Sequence, residues 1–125
     1  MKNILLVEDY KLVIKVIKHL VKQDKLALKI DVAYNGKIAV DKVSEDLDKY
    51  DAVIMNGIMP IMDGVEATKI LRDMGFSAPI IGFSALNTPE YISSCLAAGM
   101  NRFVGVGKLS SIDELIATLK NMGLC

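Results

Sequence analysis

Apolar runs of strand length alternate with stretches of helical periodicity five times along this chain, the pattern of a parallel sheet covered by helices on both faces. Ile4-Leu5-Leu6-Val7 reads as a first buried strand, and the Leu12, Val16, Leu20 spacing after it as an amphipathic helix. Leu26 to Ala33 alternates well enough for a second strand near an edge, and Asn35-Gly36 opens a helix through roughly Leu47. Ala52-Val53-Ile54-Met55 is apolar throughout, as a central strand buried on both faces must be. Asp63 with Glu66 forms a capping box for a helix from Gly64 to about Met74. Pro79 to Phe83 is the fourth strand, Thr88-Pro89 starts the fourth helix, and Gly99 ends it. Phe103-Val104 lies in a short fifth strand, and Ser111 with Glu114 makes a second capping box before a last helix from Ile112 to about Met122. Right-handed crossovers then gather the strand carboxyl ends on one edge, where open α/β sheets hold their ligands.

Composition narrows the function classes. The 125 residues, 52% apolar and 24% charged, suit one folded domain spanning 1–125 and exclude disorder as the main state. Fifteen Lys plus Arg against fifteen Asp plus Glu sum to zero, so no net field draws the chain to nucleic acid or an anionic membrane. No apolar run approaches the roughly 20 residues of a membrane span, and the short stretch before Glu8-Asp9 is neither a signal peptide nor an anchor. Cys95, Cys125 and the single histidine, His19, lack ligand spacing, which argues for a reducing cytoplasm and no structural zinc. Cys95 reads as a small core residue and Cys125 as a free thiol.

The polar residues that stand out fall at the strand ends. Glu8 and Asp9 follow the first strand, Asn56 the third, Ser84 the fourth, and Lys108 lies just beyond the fifth. Two acids facing an oxygen-bearing side chain, a hydroxyl and a lysine are the parts that hold a hard cation and a phosphoryl group. Plainer readings exist for each: acids suit a helix amino terminus, Ser84 can bond its own strand end, and Lys108 can be a solvated loop lysine.

The segment from Asp51 through Met55-Asn56-Gly57-Ile58-Met59-Pro60-Ile61-Met62-Asp63-Gly64 resembles the receiver domain of two-component response regulators. Glu8-Asp9, Ala33-Tyr34-Asn35-Gly36, Pro79 to Ala85 and Ala98-Gly99-Met100 fall in the same order, and the run from Met59 to Thr68 is most similar to receivers of hybrid histidine kinases. The resemblance implies a flavodoxin-like (CheY-like) three-layer αβα sandwich with five helices and a five-stranded parallel sheet in the order 2-1-3-4-5. It also implies Mg²⁺ held by Glu8, Asp9, the Asn56 side chain and the Ile58 carbonyl, with Ser84 and Phe103 as switch positions and Lys108 as the phosphoryl contact.

Asn56 departs from the family, which has a phosphoacceptor aspartate there. An amide oxygen is a poor nucleophile, so no acyl phosphate forms on it, and the grip on Mg²⁺ weakens. The lysine position is ambiguous: counting forward from Gly99-Met100 it falls on Val106, counting back from Ile112 on Lys108. Phe103 has no hydroxyl, and Leu109 stands where the family usually has proline.

Two functions follow. The chain is a pseudo-receiver, not an enzyme, that signals by contact with a histidine kinase, a phosphotransfer protein or another signalling protein. Alternatively it is a working receiver whose aspartate was changed to Asn or is regenerated by deamidation at Asn56-Gly57. Contact surfaces are expected on the first helix near Leu12 and Val13, because Val13, Ile14 and Ile17 cannot all point inward on one helix, the plain alternative being a wide core stripe, or on the face from the fourth to the fifth helix. Pairing of two copies stays open. A flavin or nucleotide binder on this architecture is weak, since no glycine-rich loop follows the first strand.

Overall fold

A computed structural model describes residues 1–107 and 110–125. Its elements alternate as β1 (Lys2–Val7), α1 (Lys11–Gln23), β2 (Leu28–Ala33), α2 (Gly36–Glu45), β3 (Ala52–Met55), α3 (Gly64–Asp73), β4 (Ile80–Ser84), α4 (Pro89–Ala98), β5 (Arg102–Gly105) and α5 (Ser111–Asn121). The five strands form one parallel sheet in the order β2-β1-β3-β4-β5, so the expected topology is the observed one.

The unbroken apolar run of β1 serves two cores, because successive side chains leave a strand on opposite faces. Leu5 and Val7 pack with Val53, Met55, Ala39, Val43, Ala67, Leu71 and Cys95 under α2, α3 and α4. Ile4 and Leu6 pack with Ile54, Ile81, Phe83, Ile14, Ile17, Leu115 and Leu119 under α1 and α5. At roughly 1.5–3 kcal/mol per large aliphatic side chain, this two-sided burial supplies the main term holding the strand ends in register. Among the described residues no helix is long and apolar enough to cross a membrane.

Helix starts follow the local chemistry. Asn35, Asp63 and Thr88 each cap a helix, accepting from the N–H of Ile38, Glu66 and Tyr91 respectively. Elsewhere the boundaries shift. β2 begins at Leu28 because α1 closes through Lys25, whose φ is +52°, and the Leu26 N–H still bonds back to Val21. α2 stops at Glu45, where Asp46 turns extended and accepts the Asp48 N–H on its side chain. α5 begins at Ser111 with Ser110 as N-cap, one residue earlier than expected, so the expected capping box of Ser111 with Glu114 is replaced by an N-cap without a side-chain bond, and the Glu114 N–H reaches the Ser110 carbonyl. Ser84 is the last residue of β4 rather than the first beyond it.

The buried stripe of α1 also differs from the one read in the sequence. Ile14 and Ile17 are buried with Val13 packed beside them, whereas Leu12 is 56% exposed. Val13, Ile14 and Ile17 lie within about 100° of arc on a helix, so one face accommodates all three, and the unpartnered apolar surface falls on Leu12.

Candidate functional site

The carboxyl ends of β1 and β3 are held side by side by their ladder, in which Val7 pairs with Met55 and the Asn56 N–H donates to the Val7 carbonyl at 3.0 Å. This register brings together three of the residues singled out in the sequence. The Asn56 Nδ2 donates to Glu8 Oε2 at 2.9 Å, to Asp9 Oδ1 at 3.2 Å and to the Ile58 carbonyl at 3.2 Å. All three partners of that nitrogen among the described residues are acceptors, which sets the end of the amide that faces them.

Glu8 is buried, and its Oε2 also takes the backbone N–H groups of Asp9 and Tyr10 at 3.1 and 3.2 Å. Burial pushes its pKa up to about 7, the Tyr10 N–H pulls against that, and the Asp9 carboxylate adds to the rise. Asp9 is exposed at the mouth. Glu8, Asp9, Tyr10, Asn56, Ala85 and Val106 line a pocket of about 130 Å³.

Ser84 and Phe103 are not among the residues that line this pocket. Ser84 is buried, and its Oγ accepts the Leu86 N–H at 3.3 Å, the strand-end bond of the plainer reading. Phe103 is half-buried and meets Tyr91 edge to face, with ring centres 6.4 Å apart. Lys108 and Leu109 lie outside the described residues. The strand register assigns the pocket wall to Val106: Ser84 pairs with Gly105, and the next N–H, that of Val106, donates to the Ser84 carbonyl at 2.9 Å. Among the described residues no lysine or arginine lines this pocket.

Two features escaped the sequence reading. Gly57 follows Asn56, and a Cβ there would stand 2.2 Å from the Tyr91 hydroxyl and 2.9 Å from Ser84 Oγ, so only glycine lets α4 approach this closely. Ile61, in the loop between β3 and α3, has φ of +71° and is 81% exposed, in a three-residue turn where the Met62 N–H bonds the Pro60 carbonyl. A β-branched residue with positive φ is strained. Both stand inside the segment that carries the resemblance, but their roles show only in three dimensions, since one depends on packing from α4 and the other on backbone geometry.

A doubly wound sheet in the order β2-β1-β3-β4-β5 binds its ligands in the crevice at the strand carboxyl ends, where this chain sets its acid pair. The chain belongs to the response regulator receiver domain family, whose model matches residues 4–120. It is 36% identical over 103 residues to a two-component response regulator, ORR41, of Oryza sativa subsp. japonica, covering 82% of this chain and 81% of that one. It is also 36% identical over 106 residues to the osmosensing histidine protein kinase SLN1 of Saccharomyces cerevisiae, covering 82% of this chain but 9% of the kinase. The receiver domain of sensor histidine kinase PA1611 from Pseudomonas aeruginosa, with a magnesium ion coordinated in its active-site cleft, superposes with a TM-score of 0.81 at 29% identity, over 96% of this chain and 95% of that one.

Two acids and a carbonyl converge on one point, as a hard cation requires, but a hydrogen-bond donor occupies that point. The set as arranged does not fit a divalent ion. Among the described residues no three His, Cys, Asp or Glu side chains gather to form another centre.

Proposed function

We propose that this receiver domain is a pseudo-receiver: it keeps the fold and the partner surfaces of phosphoryl signalling but takes no phosphoryl group. The observation that carries the reading is Asn56, which stands at the end of β3 where the resemblance places the phosphoacceptor and turns its amide nitrogen, not an oxygen, toward the acid pair. An amide oxygen carries no full negative charge and its electrons are delocalised onto nitrogen, so it is a poor nucleophile toward phosphorus. Val106 in the pocket wall, where one register places the phosphoryl-contacting lysine, supports the same reading.

The domain works by contact, without a reaction of its own, in the cytoplasm. Its partner is a histidine kinase, a phosphotransfer protein or another two-component protein. The docking area is the rim of the pocket, where Tyr10 is 60%, Leu12 56% and Ile58 57% exposed on the segments that frame it. Mg²⁺ is bound weakly at most, since one of the three carboxylates the resemblance calls for is an amide.

A small-molecule phosphodonor with Mg²⁺, followed by intact-mass measurement, tests this. The unaltered protein is expected to gain no phosphoryl mass while Asn56→Asp gains one; a stable adduct on the unaltered chain overturns the reading. Peptide mass analysis of aged protein addresses deamidation, which is expected to be slow because three hydrogen bonds hold the Asn56 side chain.

A further inference from the structure

We propose that the Asn56 carboxamide is a built-in substitute for the cation, so that the pocket is locked in one arrangement without a metal ion. Nδ2 sits where Glu8 Oε2, Asp9 Oδ1 and the Ile58 carbonyl converge, and its two N–H groups serve all three oxygens, one of them shared. A divalent ion and this amide perform the same task, drawing the β1 end, the acid pair and the loop after β3 onto one centre. The amide does so with no solvated ion to recruit and no dependence on ion concentration.

Geometry makes the amide a competitor of the ion rather than a weakened ligand for it. For Asn56 to ligate, its side chain must turn so that Oδ1 faces inward, which gives up three hydrogen bonds and sets a fourth oxygen against the three already there. The acceptor closest to the amide, Glu8 Oε2, is further engaged by the Asp9 and Tyr10 N–H groups. The turn between Asn56 and Gly64 adds stiffness: the Gly64 N–H donates to the Gly57 carbonyl at 2.7 Å, and a Cβ on Gly64 would come within 2.2 Å of the Asn56 carbonyl oxygen.

This deepens the pseudo-receiver reading and rests on the same pocket, but it concerns cation rather than phosphoryl chemistry, so the two fail separately. The discriminating variant is Asn56→Ala, which removes the donor and leaves Glu8, Asp9 and the Ile58 carbonyl free. If the amide occupies the ion's place, Asn56→Ala binds Mg²⁺ more tightly than the unaltered protein by about tenfold or more in calorimetric titration. Its thermal midpoint then rises with Mg²⁺ while that of the unaltered protein does not. If Asn56 only lacks a charge, its Oδ1 still ligates, and the unaltered protein binds Mg²⁺ as well as or better than Asn56→Ala; that result overturns the inference.

A measurement on the unaltered chain guards against a variant that fails to fold. The Asn56 side-chain NH₂ resonances, assigned by their loss in Asn56→Asp, are expected to exchange slowly with solvent and to be unmoved by Mg²⁺. Resonances that exchange freely or titrate with Mg²⁺ overturn the inference. A phosphoryl adduct on the unaltered protein overturns the pseudo-receiver reading instead and leaves the cation comparison standing.

Discussion

Two tyrosines show how one hydroxyl can help or hinder a fold according to what meets it. The buried Tyr50 donates to Asp31, which also faces Lys42 and Lys49 at 3.6 and 3.9 Å. That bond, more than the lysines, holds the Asp31 carboxyl below the usual carboxylate range. Tyr91 Oη is also buried, yet among the described residues it has no partner at hydrogen-bond geometry, and the thiol of Cys95 beside it is a weak one. Tyr50→Phe should therefore cost about 2 kcal/mol in urea unfolding, whereas Tyr91→Phe should be neutral or gain up to about 1 kcal/mol, keeping its ring contact with Phe103. Equal losses in both would show that the two hydroxyls are equally satisfied. The raised pKa of Glu8 sets the sign of a pH dependence. Its folded pKa of about 7 lies above its ordinary 4.5, so the folded state holds the extra proton between those values. Stability attributable to Glu8 is complete below about 4.5 and is lost as pH rises through 7. Asp31, with its depressed pKa, acts in the opposite sense, contributing stability at neutral pH that is lost as acid protonates it. Thermal midpoints measured across this range should fall with rising pH in the unaltered protein, and Glu8→Gln should flatten the decline; an unchanged slope in the variant would assign it to another group.

At the scale of elements, the least anticipated organiser is Arg72, in the last turn of α3. Its guanidinium donates to the carbonyls of Phe76 and Ala78 at 2.8 Å, to the Gly99 carbonyl at 3.0 and 3.1 Å, and to Asn101 Oδ1 at 2.9 Å. The same Asn101 oxygen receives the Ile80 N–H, so one cation joins the exit of α3, the start of β4 and the exit of α4. Gly99 has φ of +125°, and a Cβ there would lie 2.6 Å from Arg72 Cγ, which makes the glycine necessary both as a helix terminator and as clearance for this side chain. Arg72→Met should cost about 3 kcal/mol, and Arg72→Lys should recover only part of it, because an ammonium cannot fork across carbonyls on separate segments; chemical denaturation of the two variants checks both. The contrast with the helix caps explains what the sequence made legible. Asn35, Asp63 and Thr88 bond within three residues of themselves, so their roles show in a short window. The apolar runs of β1, β3 and β4 were equally local, and the crossover rule then placed Glu8, Asp9 and Asn56 on one edge. Arg72 reads as an ordinary basic residue near a helix end, because its acceptors are supplied by segments up to 29 residues away. The facing of the Asn56 amide was hidden for the same reason, its partners Glu8 and Asp9 being 48 and 47 residues distant. The α1 stripe is only partly legible, because Leu12, Val16 and Leu20 have as good a helical period as Ile14 and Ile17, and only packing against β2 and the rest of that face chooses between them.

The whole molecule is neutral only in sum. Residues 1–30 hold seven lysines against three acids, leaving eight basic residues against twelve acids in the remainder. Lys11, Lys15, Lys18 and Lys22 follow one another at four-, three- and four-residue steps along α1 and are all exposed, so they form a single basic stripe on its solvent face. Screening confines the reach of surface charge to roughly 8 Å at physiological ionic strength, so an approaching partner meets this stripe and not the total. The zero sum excluded a net field, but it did not exclude a polar one. The stripe begins beside Tyr10 and Leu12 on the pocket rim, so the proposed docking area joins an apolar edge to a cationic helix, and the partner surface that matches it is apolar with flanking carboxylates. Retention on a cation-exchange resin at neutral pH and low salt should follow from the stripe despite the zero net charge. Reversing Lys15, Lys18 and Lys22 to Glu should abolish that retention, while reversing the equally exposed Lys37, Lys69 and Lys120 should leave most of it, although both triple variants change the net charge by the same amount. Equal loss in the two variants would mean that the total governs after all and that α1 presents no distinct face.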